Sequence, residues 1–183
     1  MIEKNKMAPS FCLESQNHTW INLEQLRGKK VFLFFLPKSN CLSDQVQLMS
    51  YVSEYRRFLK LNVEVIGICG SPMEDIQEIA FYFKLPFLLL EDRNHLAREA
   101  YGVWREKVTY GIRRSITSRS TLVIDESGIV IKTYKRIKAE SNVQEVLEFL
   151  EQLAEKNAWR QLSRREKEKI RKEKTHDQQE KRS

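Results

Sequence analysis

No stretch of this chain is long and apolar enough to span a bilayer. The longest apolar run, Val31-Phe32-Leu33-Phe34-Phe35-Leu36, has six residues, against about 20 for a membrane helix. No membrane partner is therefore expected. Cysteine is scarce and odd in number, with only Cys12, Cys41 and Cys69, which argues against a disulfide framework. No apolar stretch follows the first six residues, so no secretory signal is visible and a cytoplasmic location with reduced thiols is expected. His18, His95 and His176 are scattered and have no metal-ligand spacing with any cysteine, so no metal is expected. The Gly67-Ile68-Cys69-Gly70 segment lacks the full phosphate-loop pattern and its lysine. No other cofactor signature is present, and no internal repeat.

What is present is enough for one folded domain. The chain has 183 residues, 41% hydrophobic and 31% charged, which suits a domain over residues 1–155 followed by a tail over 156–183. The net charge of +7 sits mostly in that tail. From residue 155 onward there are 11 Lys or Arg against 6 Asp or Glu, whereas the preceding 154 residues carry 21 against 19. Opposite charges alternate at helical spacing in the tail, which reads as a solvated helical or disordered extension. Its interleaved glutamates and lack of an aromatic platform argue against nucleic-acid binding, which the tail alone could offer.

The apolar pattern indicates an α/β fold. The run 31–36 and the segment 63–69 read as buried parallel strands. Between them, residues 43–60 read as a helix with Val46, Met49, Val52, Tyr55 and Leu59 along one face. Further helices are expected over 71–84 and 94–101, with a short strand over 87–90. A hairpin is expected over 121–134, turning at Asp125-Glu126-Ser127-Gly128. A last helix starts at Ser141 with Val143, Val146, Leu147, Leu150 and Leu153 as its apolar stripe. A smaller hairpin is expected around 11–13 and 19–23, with Cys12 packed inside it.

In such folds ligands sit at the carboxyl ends of the strands, near helix N-termini. Here that place is Pro37-Lys38-Ser39-Asn40-Cys41-Leu42-Ser43-Asp44. A cysteine at a helix N-terminus has its thiolate favoured by the partial positive charge there. Cys41 is thus the candidate nucleophile, or else a small residue filling space.

Several blocks in order carry a family resemblance: Ala8-Pro9-Ser10-Phe11, Phe34-Phe35-Leu36-Pro37-Lys38, Val65-Ile66-Gly67-Ile68, Leu85-Pro86-Phe87, Ala100-Tyr101-Gly102-Val103-Trp104 and Arg119-Ser120-Thr121-Leu122. The chain resembles peroxiredoxins of the bacterioferritin comigratory protein type, also called Q-type, over about residues 6–155. The resemblance implies a thioredoxin-like single domain with a central mixed sheet. It also implies thiol-dependent reduction of hydroperoxides and a thioredoxin-like reductant. A monomer or homodimer is expected. The family motif is Pro, three residues, Thr, two residues, then the peroxidatic Cys. Counted from Pro37, Cys41 takes the Thr position, Asp44 the peroxidatic position and Met49 the usual resolving position. Arg119 matches the family's arginine that steadies the thiolate.

An aspartate cannot reduce a peroxide as a thiolate does, by attacking the O–O bond and becoming a sulfenic acid. Asp44 could serve instead to cap the helix. Two readings follow. In the first, Cys41-Leu42-Ser43-Asp44 is a Cys-x-x-Asp remnant of a redox turn, in which Cys41 attacks a disulfide or hydroperoxide beside Arg119, with Cys69 a possible disulfide partner. In the second, the domain is a catalytically silent binding or regulatory module and the tail is its contact element. Arg113-Arg114 with Arg119 forms a basic cluster, read chiefly as solvated surface.

Overall fold

The computed structural model describes residues 2–37, 41–110, 112–138, 141–162 and 166. The chain divides into two compact units, Met1–Val146 and Leu147–Ser183. The strands are β1 (Cys12–Ser15), β2 (Trp20–Asn22), β3 (Lys30–Leu36), β4 (Val63–Cys69), β5 (Leu88–Glu91), β6 (Trp104–Thr109), β7 (Ile112–Thr117), β8 (Ser120–Ile124) and β9 (Val130–Lys135). The helices are α1 (Leu42–Lys60), α2 (Met73–Tyr82), α3 (Leu96–Ala100) and α4 (Asn142–Gln161). A 3-10 turn occupies Leu23–Leu26. Of the expected tail, residues 156–161 continue α4, and most of the remainder lies outside the described residues.

Seven strands form one mixed sheet in the order β2-β1-β5-β4-β3-β8-β9. β3, β4 and β5 run parallel, and β8 and β1 flank them antiparallel. The fold is the thioredoxin-like α/β architecture expected, with β4 at its centre and β3 beside it. Two-residue alternation explains how β3 holds both faces. Val31, Leu33 and Phe35 join Phe11, Tyr101, Val103, Leu122 and Ile124 in one buried cluster. Phe32 and Phe34 point the other way, onto α1. Phe32 stacks on Phe58 at 5.1 Å between ring centroids and meets Tyr51 edge-on at 5.2 Å. Opposite Phe34, β4 carries Gly67, where a Cβ would come within 2.4 Å of both Phe34 and Leu89. The rings occupy the space a side chain would need.

Two expectations are corrected. α1 has the expected helical period but a different inward face. Met49 and Leu59 are exposed, while Asp44, Gln47, Leu48, Tyr51 and Phe58 are buried. The sheet-facing stripe contains two polar residues at its N-terminal end, so the apolar pattern alone selects the wrong phase. Cys12 is exposed rather than packed. The structure also contains an antiparallel ribbon, β6–β7, separate from the main sheet and not foreseen in the sequence. On α4, Val143 and Val146 are buried as expected. Among the described residues, no helix is long and apolar enough to cross a membrane.

Because Phe32 is completely buried between Phe58 and Tyr51, Phe32→Ala should cost about 3–5 kcal/mol. A urea or guanidinium titration checks this, and a loss below about 1 kcal/mol would contradict the assigned packing.

Candidate active site

The site is built where β3 ends and α1 begins. Cys41 is the N-cap of α1, with extended backbone and no side-chain hydrogen bond capping the helix. The N-cap is thus Cys41 rather than Asp44, which lies in the first helical turn. Cys41 is half-buried, and its Sγ lies 3.3 Å from Ser43 Oγ. The amides of Asp44 and Gln45 bond back to the Cys41 carbonyl at 2.9 and 3.1 Å, closing the first turn and fixing Cys41 at its head.

Asp44 is completely buried, and Arg119 Nη2 donates to its Oδ1. The same nitrogen donates to Ser43 Oγ at 2.8 Å. Arg119 precedes β8, the strand paired antiparallel with β3, so the sheet register brings it to the first turn of α1. One turn further along α1, Gln47 Nε2 donates to the Tyr51 hydroxyl at 2.6 Å. That hydroxyl donates to Asn142 Oδ1 at 3.0 Å. Burial raises the Tyr51 phenol far above its ordinary range, so it remains a neutral donor even though the Gln47 contact pulls the other way. This polar chain links α1 to the start of α4 and explains why Gln47 faces inward.

Cys41 also lines an open cleft of about 590 Å³ with Pro37, Gly70, Ser71, His95 and Trp104. One wall is rigid. Asp92 accepts from the backbone amides of Ala97 and Arg98 and from Arg98 Nε, while Arg98 Nη1 reaches Thr117 on β7. The fit is close, since a Cβ on Gly70 would fall 2.1 Å from the Arg98 guanidinium. His95 stacks on Trp104 at 3.9 Å between ring centroids.

The structure therefore brings Cys41, Asp44 and Arg119 together through Ser43, with Pro37 on the adjoining cleft. Cys69 ends β4, directly beside Leu36 in register, and is completely buried. Burial pushes its thiol up, against the lowering contact from Ser71, which keeps it protonated. All three cysteines are free thiols. The expected basic cluster divides, because Arg113 and Arg114 are exposed on β7 whereas Arg119 is held by Asp44. His18 bonds to Glu14 and Gln77, and His176 lies outside the described residues. Among the described residues no cluster of three potential metal ligands occurs. Ser43 and the Gln47–Tyr51–Asn142 chain were not anticipated from sequence. The available signal was Gln47 three residues after Asp44 and Tyr51 four residues after Gln47, on one helical face.

A model of the AhpC/TSA family matches residues 5–133. The chain belongs to this family. It is 30% identical to peroxiredoxin Bcp of Bacillus subtilis over 155 residues, covering 85% of this chain and 99% of that protein. It is also 30% identical to a putative peroxiredoxin bcp of Coxiella burnetii, covering 80% and 97% respectively. The fold agrees with that of the bacterioferritin comigratory protein of Xanthomonas campestris, with a TM-score of 0.75, 20% identity, and coverage of 79% of this chain and 92% of the other. Peroxidoxin BcpB of Mycobacterium tuberculosis gives a TM-score of 0.74 at 20% identity, covering 82% and 97%. Within the AhpC/TSA fold, the start of α1 thus carries the thiol and the carboxylate, and the residue entering β8 carries the guanidinium.

Removing the carboxylate would leave the Arg119 charge without its buried partner. Asp44→Ala should lower stability by roughly 2–4 kcal/mol, less than for a fully enclosed pair, because the Arg119 side chain is 19% exposed. Denaturant unfolding measures this, and a change within about 0.5 kcal/mol would show that the pair is structurally idle.

Proposed function

We propose that the protein is a peroxiredoxin-fold thiol redox protein whose reactive sulfur is Cys41, and that position 44 no longer performs peroxidase chemistry. The reading is carried by one observation: the fully buried Asp44 carboxylate engages Arg119, while Cys41 heads α1 and lines the adjoining cleft. The family reduces peroxides through a thiolate with a thioredoxin-type reductant, and the resemblance puts that sulfur's place at Asp44. A carboxylate there can hold the guanidinium but cannot be oxidised to a sulfenic acid.

Cys41 retains the features that thiol–disulfide exchange requires. Its thiolate attacks one sulfur of a substrate disulfide, a new S–S bond forms at Cys41, and the other sulfur leaves as a thiolate. An external thiol then attacks the mixed disulfide and returns Cys41 to its reduced state. Cys69 fits poorly as the resolving thiol, because it is enclosed and held protonated. A hydroperoxide is the slower alternative substrate for the same sulfur, being cleaved to an alcohol as the thiolate becomes a sulfenic acid.

The second reading, a silent module with the tail as its contact element, is favoured by the same ion pair, since Asp44 neutralises the arginine that would otherwise serve a thiolate. The two readings separate on reactivity. With the reduced protein and a small excess of a low-molecular-weight disulfide, mass spectrometry should find the mixed disulfide first at Cys41. Cys69 should remain unmodified, and Cys41→Ser should abolish turnover. If the exposed Cys12 is modified as fast as Cys41, the silent reading holds instead.

A further inference from the structure

Ser43 lies between the two groups on which the proposed reading depends. Arg119 Nη2 donates to Ser43 Oγ at 2.8 Å, and Ser43 Oγ lies 3.3 Å from Cys41 Sγ. We propose that Ser43 is a positioning residue that relays the Arg119 charge to the Cys41 thiolate through its hydroxyl. The inference rests on Cys41 being the reactive sulfur.

The direction of the relay follows from the donor inventory. A guanidinium only donates, so the Ser43 oxygen must accept from Arg119. The hydroxyl retains one proton, and Cys41 Sγ is the acceptor within reach. A thiolate only accepts, so the chain Arg119 N–H to Ser43 O, then Ser43 O–H to Cys41 S⁻, satisfies every group. A neutral thiol could instead donate to Ser43, whose exposed hydroxyl would then donate to water. The proposed relay takes the first direction, in which the deprotonated sulfur is the acceptor. A hydroxyl that accepts from a cation is also a stronger donor, since hydrogen bonds in a chain polarise one another.

Asp44 sets the geometry of this relay. Its buried carboxylate holds the same Nη2 that serves Ser43, so the guanidinium is fixed by an ion pair rather than left to sample solvent. The cleft lining includes Cys41 but none of Ser43, Asp44 or Arg119. Substrate can then approach the sulfur from the cleft without displacing the groups that favour its ionised form. Ser43 itself is exposed, so its replacement removes no core packing.

The test is the rate of Cys41 alkylation by iodoacetamide, read by peptide mass spectrometry on the full chain between about pH 5 and pH 10. Ser43→Ala should slow alkylation of Cys41 about 3–10-fold near neutral pH. Ser43→Thr keeps the hydroxyl and should stay within about twofold of the parent protein. An unchanged profile in Ser43→Ala, or an equal loss in Ser43→Thr, overturns the relay. Alkylation involves no turnover, so this result is independent of the functional reading. That reading fails separately, if Cys41→Ser still reduces disulfides at the parent rate.

Discussion

A carboxylate with no exposure to water must be met by positive charge or hydrogen-bond donors, because the interior does not solvate it. Asp44 meets that requirement through Arg119, and much of the site follows from their pairing. The pair joins the first turn of α1 to the residue entering β8. It fixes the guanidinium beside Ser43 and turns the polar face of α1 inward, where Gln47, Tyr51 and Asn142 continue the hydrogen-bonded chain. Beneath this polar layer the aromatic packing of Phe32, Phe34, Tyr51 and Phe58 supplies the apolar burial.

The same pairing divides structural and chemical roles between neighbouring residues. On our account Asp44 takes the arginine that a peroxidatic sulfur would use, and redox chemistry moves three residues back to Cys41. The helix N-terminus supplies a field that favours an anion. Ser43 supplies a path from the fixed cation, and the cleft supplies access. Cys69, one strand away, is sealed in and protonated, so the proposed chemistry would draw on an external thiol.

The sequence revealed most of the central sheet, because β3 and β4 are apolar on both faces and such runs have few alternative structures. It was less informative wherever burial and polarity coincide. The inward face of α1 begins with Asp44 and Gln47, so a hydrophobic stripe through Met49 and Leu59 looked better than the true one. The β6–β7 ribbon was missed because Arg105, Glu106, Lys107, Arg113 and Arg114 leave it without a continuous apolar face. Cys41, Asp44, Arg119 and Pro37 could all be selected from motif spacing. Their connection through Ser43 could not, since a serine two residues from a cysteine carries no signal until the turn is folded.

The most direct test of the account is the rate of peroxide oxidation at residue 44 in Asp44→Cys, compared with that at Cys41 in the parent protein. If only the sulfur is missing from this position, Asp44→Cys should form a sulfenic acid at residue 44 far faster than Cys41 of the parent does. A parent protein whose Cys41 reacts with peroxide as fast as the introduced thiol would contradict the account. The peroxidase chemistry would then have moved with the cysteine rather than been lost from position 44.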